Sequence, residues 1–253
     1  MKRKASIAVL FAVFAGLAIA QAPAIKRTIL QRADVAVALS ALIVPAFALY
    51  LLIDFDRVRK SKVKVFISAT NVETGRARVW DKKQLAADHV MASACLPWLF
   101  QAVEIDGVPY WDGGFTGNPA LWPLFENCVS DDVVLVQINP LRRDALPTTA
   151  GDILDRLNEI TFNAALIAEM RAIDFVKRLL AEGRLDPARY KDVLMHRIDG
   201  GEALEAFHAS TKSATDARLI HTLRDLGAEA TRRWLKRHHR QLGVEASVDI
   251  ARD

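Results

Sequence analysis

Apolar residues are spread unevenly along this chain. Up to residue 53 they form long unbroken runs, and from Lys62 they fall into the alternations and stripes of a packed domain. Val63 to Ala69 reads as a strand buried at its far end, Asn71 to Gly75 as a turn, and Ala77 to Trp80 as a short returning strand. Gln84 to Cys95 reads as a helix that stops before Pro97, because proline disfavours helix in the residue preceding it. Ala102–Ile105 and Val108–Trp111 flank Asp106-Gly107, the dipeptide a two-residue hairpin turn prefers. Asp112-Gly113-Gly114 follows at once. Val133–Ile138 is a further buried strand closed by Asn139-Pro140. A long helix is then expected from a Thr149/Asp152 capping pair to Gly183. Its stripe runs through Ile153, Leu157, Ile160, Ala164, Ile167, Met170, Ile173, Val176 and Leu180. A last helix begins near Ser213 and carries Ile220, Leu223, Leu226, Ala230 and Trp234 on one face. Strands alternating with helices predict an α/β fold with a mainly parallel sheet.

The first 53 residues read differently. Lys2, Arg3 and Lys4, an apolar run from Ala5 to Leu17, and Ala18-Ile19-Ala20 have the order of an export signal. The run Val35–Ile53 spans 19 residues without a charge, long enough to cross a bilayer. The basic flank after it, Arg57, Arg59, Lys60, Lys62 and Lys64, would keep the remainder on the cytoplasmic side. A buried core helix, with a soluble cytoplasmic protein, is the alternative. The division expected is therefore 1–53, hydrophobic and signal-like or membrane-like, and 54–253, globular with C-terminal helices.

Composition narrows the choice of function a little. At 51% hydrophobic and 25% charged the chain is globular, and a net charge of +4 is mild. A nucleic-acid binder is suggested only by the sequence pI of about 9.1, with no aromatic-interleaved basic stripe to support it. Cys95 and Cys128, the two cysteines, lack metal-ligand spacing, and the six histidines form no metal-binding pattern. No metal and no cofactor are expected. Arg232-Arg233-Trp234-Leu235-Lys236-Arg237 offers charge plus an aromatic for docking on anionic phospholipid, or is an ordinary solvated helix end.

Asp112 is the residue that chemistry singles out. A carboxylate leaving a strand reaches the ligand-binding edge of an open α/β sheet. Gly113 and Gly114 after it permit backbone angles closed to other residues and leave space for a neighbour. Taken alone, the tripeptide could equally be a plain turn. Its surroundings decide: Phe66-Ile67-Ser68-Ala69-Thr70-Asn71, Ala92-Ser93-Ala94-Cys95-Leu96-Pro97, Tyr110-Trp111-Asp112-Gly113-Gly114 and Gly117-Asn118-Pro119 occur in order. Together they resemble the bacterial patatin-like phospholipases, over roughly Asp54 to Gly183.

The resemblance implies a three-layer patatin-like sheet and a serine acyl hydrolase with a Ser-Asp dyad. Asp112 would be the proton acceptor, with Gly113 and Gly114 supporting its motif, and the substrate a lipid ester at a membrane surface. The family's nucleophile sits in a Gly-x-Ser-x-Gly elbow, behind a glycine-rich loop that supplies oxyanion donors. This chain has nine serines, and none has a glycine two residues away. Ser40 is the nearest formal echo, without either glycine. The nucleophile is thus unassigned. Two readings follow: a lipid acyl hydrolase whose first half is absent from this chain, residues 1–53 not being its natural start, or a membrane-anchored, catalytically dead relative that binds lipid or a partner. The first makes the sheet incomplete, with hydrophobic N-terminal helices ahead of it. It also leaves the strands at 63–69 and 133–138 with unpaired edges.

Overall fold

The computed structural model describes residues 8–11, 53–97, 100–205, 207 and 217–250. They form a mixed α/β arrangement built on two sheets. In chain order the elements are β1 (Ala8–Phe11), α1 (Phe55–Lys60), β2 (Phe66–Asn71), β3 (Ala77–Asp81), α2 (Ala87–Ser93), β4 (Val103–Ile105) and β5 (Val108–Asp112). There follow α3 (Trp122–Asn127), β6 (Asp132–Gln137), α4 (Ala150–Ala181), β7 (Leu194–Asp199), α5 (Glu202–Glu205) and α6 (Ala217–His238).

The four strands β3-β2-β5-β4 form an antiparallel sheet, and β1-β6-β7 a parallel one. The single, mainly parallel sheet expected from sequence is thereby corrected. The reason is connection length. Parallel neighbours need a crossover of a dozen residues or so, whereas β2 to β3 and β4 to β5 are joined by tight turns. The second of these has Asp106 at φ 53° and Gly107 at φ 78°, the left-handed pair of a two-residue hairpin.

The expected unpaired edges are also absent. β2 lies between β3 and β5, and β6 lies between β1 and β7. Of the leader-like run only Ala8–Phe11 is described, and it is a strand beside β6, with Ala8 opposite Val133, where a helix was expected. The 35–53 run lies outside the described residues, apart from Ile53. Among the described residues no helix is long and apolar enough to cross a membrane.

Each sheet has its own core. Ile67, Ala69, Trp80, Leu85, Val90, Ala92, Ile105 and Tyr110 pack α2 onto the antiparallel sheet. Leu121 and Leu124 of the α3 turn, Val133 and Leu135 of β6, Leu166, Met170 and Ile173 of α4, and Met195 of β7 make the second. Phe66, at the start of β2, packs against this second cluster and so ties the two together.

Helix α4 begins and ends as its sequence predicts. Thr149 Oγ1 accepts the Asp152 N–H at 3.2 Å. Gly183, at φ +67°, closes the other end, its N–H donating to Leu180 O and the next N–H, of Arg184, to Leu179 O. The face it buries is another matter. Ile153, Leu157 and Ile160 are exposed, while Glu159, Phe162, Asn163, Leu166, Met170 and Ile173 are buried. The stripe is rotated at its first turns because Glu159 points inward to cations. Arg143 reaches it at 2.7 Å and Arg156 at 3.1 Å, and Arg156 also donates to Leu141 O. Asn163 donates to Pro140 O in the same loop. A carboxylate so placed fastens the segment after β6 to the helix.

Burial alone would push the Glu159 carboxyl up, but the two guanidiniums hold it below its ordinary value of 4.5. A depressed folded-state value adds stability above pH 4.5 that is lost as pH falls through the folded value. Glu159→Gln is expected to lower stability at neutral pH by about 2 kcal/mol. The gap to the unaltered protein should shrink in acid, as read from urea midpoints at several pH values; a gap independent of pH would refute the charge pairing.

Candidate functional site around Asp112

The hairpin carries the chain up β5 and delivers Asp112 at its last position. There it begins a short 3-10 turn, Gly113–Phe115, with its carboxylate Oδ1 accepting the Gly114 N–H at 2.7 Å. The residue is 5% exposed. The hairpin tip is Asp106-Gly107, so the plain exposed-turn reading of Asp112 is set aside. Its backbone is held from both sides. Its N–H donates to Cys95 O at 2.9 Å, and its carbonyl accepts from Thr70 Oγ1 at 2.8 Å. Thr70 and Thr116 share a further hydroxyl bond at 2.9 Å.

Both glycines are required by close approach. A Cβ on Gly113 would stand 2.3 Å from the carbonyl oxygen of Ser68 and 2.7 Å from its carbonyl carbon. A Cβ on Gly114 would stand 2.3 Å from Cε1 of Phe162, the α4 side chain that also meets Phe115 at 5.0 Å between ring centroids. Sequence alone could assign Gly113 and Gly114 to a turn, but not Phe162, Thr70 and Thr116, whose parts depend on contacts made far along the chain.

The serine that would complete a dyad is not beside Asp112 on β2. Ala69 stands opposite Asp112 in register, and residues directly opposite share a face of the sheet. Ser68, the next residue, therefore points to the other face. There it lines a cavity of about 20 Å³ with Phe66, Val79, Ala120, Pro123 and Leu124. Asp112 is not among its walls, so this cavity is not a ligand-binding edge beside the carboxylate. Ser40 lies outside the described residues. Cys95 is no substitute nucleophile: burial pushes its thiol up, a bond with the Val103 backbone opposes this, and the Asp112 charge adds to it. The Cys128 thiol is likewise raised by burial, and both cysteines are free.

Residues 15–125 match the family model for patatin-like phospholipase. This similarity supports a patatin-like assignment for the matched stretch. It takes in β2 to β5, Asp112 and both glycines, and supports a relationship to lipid acyl hydrolases. The match opens inside the 1–53 segment, so it includes Ser40, and closes before β6. No curated protein matched the sequence.

A second constellation was not visible in the sequence. His196 of β7 bonds Asp132 Oδ1 through Nε2 at 3.0 Å and Ser247 Oγ through Nδ1 at 3.1 Å. The members are those of a hydrolase triad, but the setting is not. Donors for an oxyanion are drawn from backbone N–H groups near a nucleophile, and the Ser247 N–H is committed to Met195 O at 3.1 Å. The imidazole is 0% exposed, with the Trp234 ring edge-on at 5.9 Å. Asp132 also accepts the Gly243 N–H at 2.7 Å. The arrangement binds the segment after α6 to the parallel sheet.

Two tests follow. Gly113→Ala is expected to destabilise by about 3 kcal/mol through overpacking, with little relief from Ser68→Ala: that change removes the Ser68 Oγ clash at 2.7 Å but leaves the nearer one, 2.3 Å from the Ser68 backbone carbonyl oxygen. The Gly114→Ala loss should be partly recovered by Phe162→Leu in a double-mutant cycle; equal behaviour of the two glycines would contradict this geometry. His196→Ala should cost about 3 kcal/mol and speed proteolysis of the chain after residue 241. Unchanged cleavage there would dismiss the fastening role.

Proposed function

We propose that this chain is a patatin-like lipid acyl hydrolase domain in which Asp112 is the proton acceptor, and that as it stands it does not turn over ester. The single observation that carries the reading is a shielded carboxylate, Asp112, ending β5 inside the stretch matched to the family. In the proposed chemistry a serine hydroxyl attacks the carbonyl of a lipid ester and its proton passes to Asp112. The ester C–O bond breaks, Asp112 returns the proton to the departing alcohol, and the acyl group is left on the serine; water then attacks the acyl carbonyl, its proton passing by way of Asp112 to the serine oxygen as the fatty acid leaves. Shielding from water suits this task, because desolvation raises a carboxylate toward a working range. The inactivity rests on the serines: none carries the glycines that let an elbow turn sharply enough to bring its hydroxyl to the base.

The substrate is proposed to lie in a membrane surface, with Val35–Ile53 as the anchor and the globular part on the cytoplasmic side. A three-layer sheet is the arrangement this reading carries with it. The second reading, a catalytically dead relative that holds lipid or a partner, is favoured by the same absence of an elbow.

Hydrolysis of a short-chain chromogenic ester and of a phospholipid by the purified chain tests the proposal. Turnover at background is expected, unchanged in Asp112→Ala. Clear turnover abolished by Asp112→Ala or by Ser40→Ala would reveal a complete catalytic pair and overturn the inactivity. Tight retention of a non-hydrolysed phospholipid, with no turnover, would favour the second reading.

A further inference from the structure

Helix α6 enters with one face committed. Ala230 and Trp234 are buried, the indole meeting His196 at 5.9 Å and His238 at 5.8 Å. The aromatic that sequence offered as a membrane anchor is therefore used inside the fold. What remains outside is charge. Arg232 and Lys236 recur four residues apart on the face opposite Trp234, and Arg240 continues the row into the 3-10 turn His239–Gln241. Arg233 and Arg237 form a second row beside it, and all five are exposed.

Three facts separate this patch from an ordinary solvated helix end. The segment from Arg232 to Arg240 holds no acid, and its five cations exceed the +4 net charge of the whole chain. Glu229 reaches Arg232 at 2.6 Å and Arg233 at 3.9 Å, while among the described residues Lys236, Arg237 and Arg240 have no carboxylate partner. The helix dipole favours cations only within the last turn, so it does not extend to Arg232 and Arg233, which share the single carboxylate of Glu229. Beside the cations stand two exposed apolar side chains, Leu235 at 44% and Val244 at 73%.

We propose that this outer face of α6 and the turn after it docks on an anionic phospholipid surface. Charge complementarity draws it there, and Leu235 and Val244 enter the headgroup boundary where apolar side chains are favoured. A nucleic-acid backbone would use the cations but has no use for the two aliphatics, and the tryptophan that could stack on a base is buried. The choice of lipid rests on the proposed function, but the docking itself needs no catalysis.

The test is co-sedimentation of the full chain with vesicles of phosphatidylcholine alone and of an equal mixture with phosphatidylglycerol. The quantity read is the increase due to the anionic lipid, which leaves aside any binding through other apolar segments. That increase should vanish in molar salt, where screening acts over about 3 Å. The triple variant Lys236→Glu, Arg237→Glu, Arg240→Glu should lower it roughly a hundredfold, and Leu235→Ser should lower it less. The same charge change at exposed Arg76, Lys83 and Arg189 should leave most of it intact. Circular-dichroism melts of both triples check folding. Equal loss in the two triples, no anionic increment, or stronger retention of a duplex oligonucleotide than of the mixed vesicles would each overturn the proposal. Failure of ester turnover would leave it standing, since no step of the docking depends on Asp112.

Discussion

At Gly113 the turn after β5 lies so close to strand β2 that no side chain fits between them. The Ser68 carbonyl occupies the space a side chain would need, with only 2.3 Å from its oxygen to where a Cβ would be. That approach lets the chain turn immediately after β5, so that Asp112 can cap its own turn through the Gly114 N–H. The Thr70 hydroxyl and the Cys95 carbonyl then lock the aspartate backbone from neighbouring elements. Any residue larger than glycine at this point would separate β2 from the turn and release the carboxylate from its burial. The position of the proposed base is thus a consequence of a steric constraint, and its charge comes second.

Helix α4 serves the same turn from the other side. Phe162 closes over Gly114 only because the helix is rotated to bury Glu159, and Glu159 can be buried only because Arg143 and Arg156 neutralise it. A carboxylate taken from water without partners would cost far more than the packing gains. The loop after β6 therefore supplies the cation that sets the angle of the helix lying over the site. The parallel sheet contributes to the antiparallel one through this helix and through Phe66.

How much of this could be read from the chain depended on whether the signal was local. Asp106-Gly107, the Thr149 cap and the Gly183 stop are written in a few adjacent residues, and each is found where the sequence puts it. Asp112 as a strand-end carboxylate followed by two obligatory glycines was equally legible. Strand β7 was not, because Leu194–Asp199 mixes a histidine, an arginine and an aspartate into its run. Its polar member His196 is tolerated at full burial by Asp132 and Ser247, residues 64 and 51 positions away. The exposed start of the α4 stripe failed for a similar reason: periodicity counts apolar residues, and here a paired carboxylate took the inward position. The parallel-sheet expectation failed because alternation of elements says nothing of whether two strands are joined by a turn or by a crossover.

The fate of Trp234 shows how one such distant contact changes a functional argument. In sequence, a tryptophan among arginines and lysines suggests an aromatic anchor at a lipid interface. In the fold, the indole lies against a histidine whose two nitrogens are both engaged, and it contributes to holding the chain after residue 241 on the sheet. The cations around it cannot follow it inward, since burying five charges that share one carboxylate, Glu229, would be prohibitive. They are displayed outward because the aromatic is not. An amphipathic helix with its aromatic face spent on the core and its basic face left outside can still meet a charged surface. It would do so by long-range attraction and two aliphatic side chains, so salt should govern its attachment more strongly than loss of any one apolar residue.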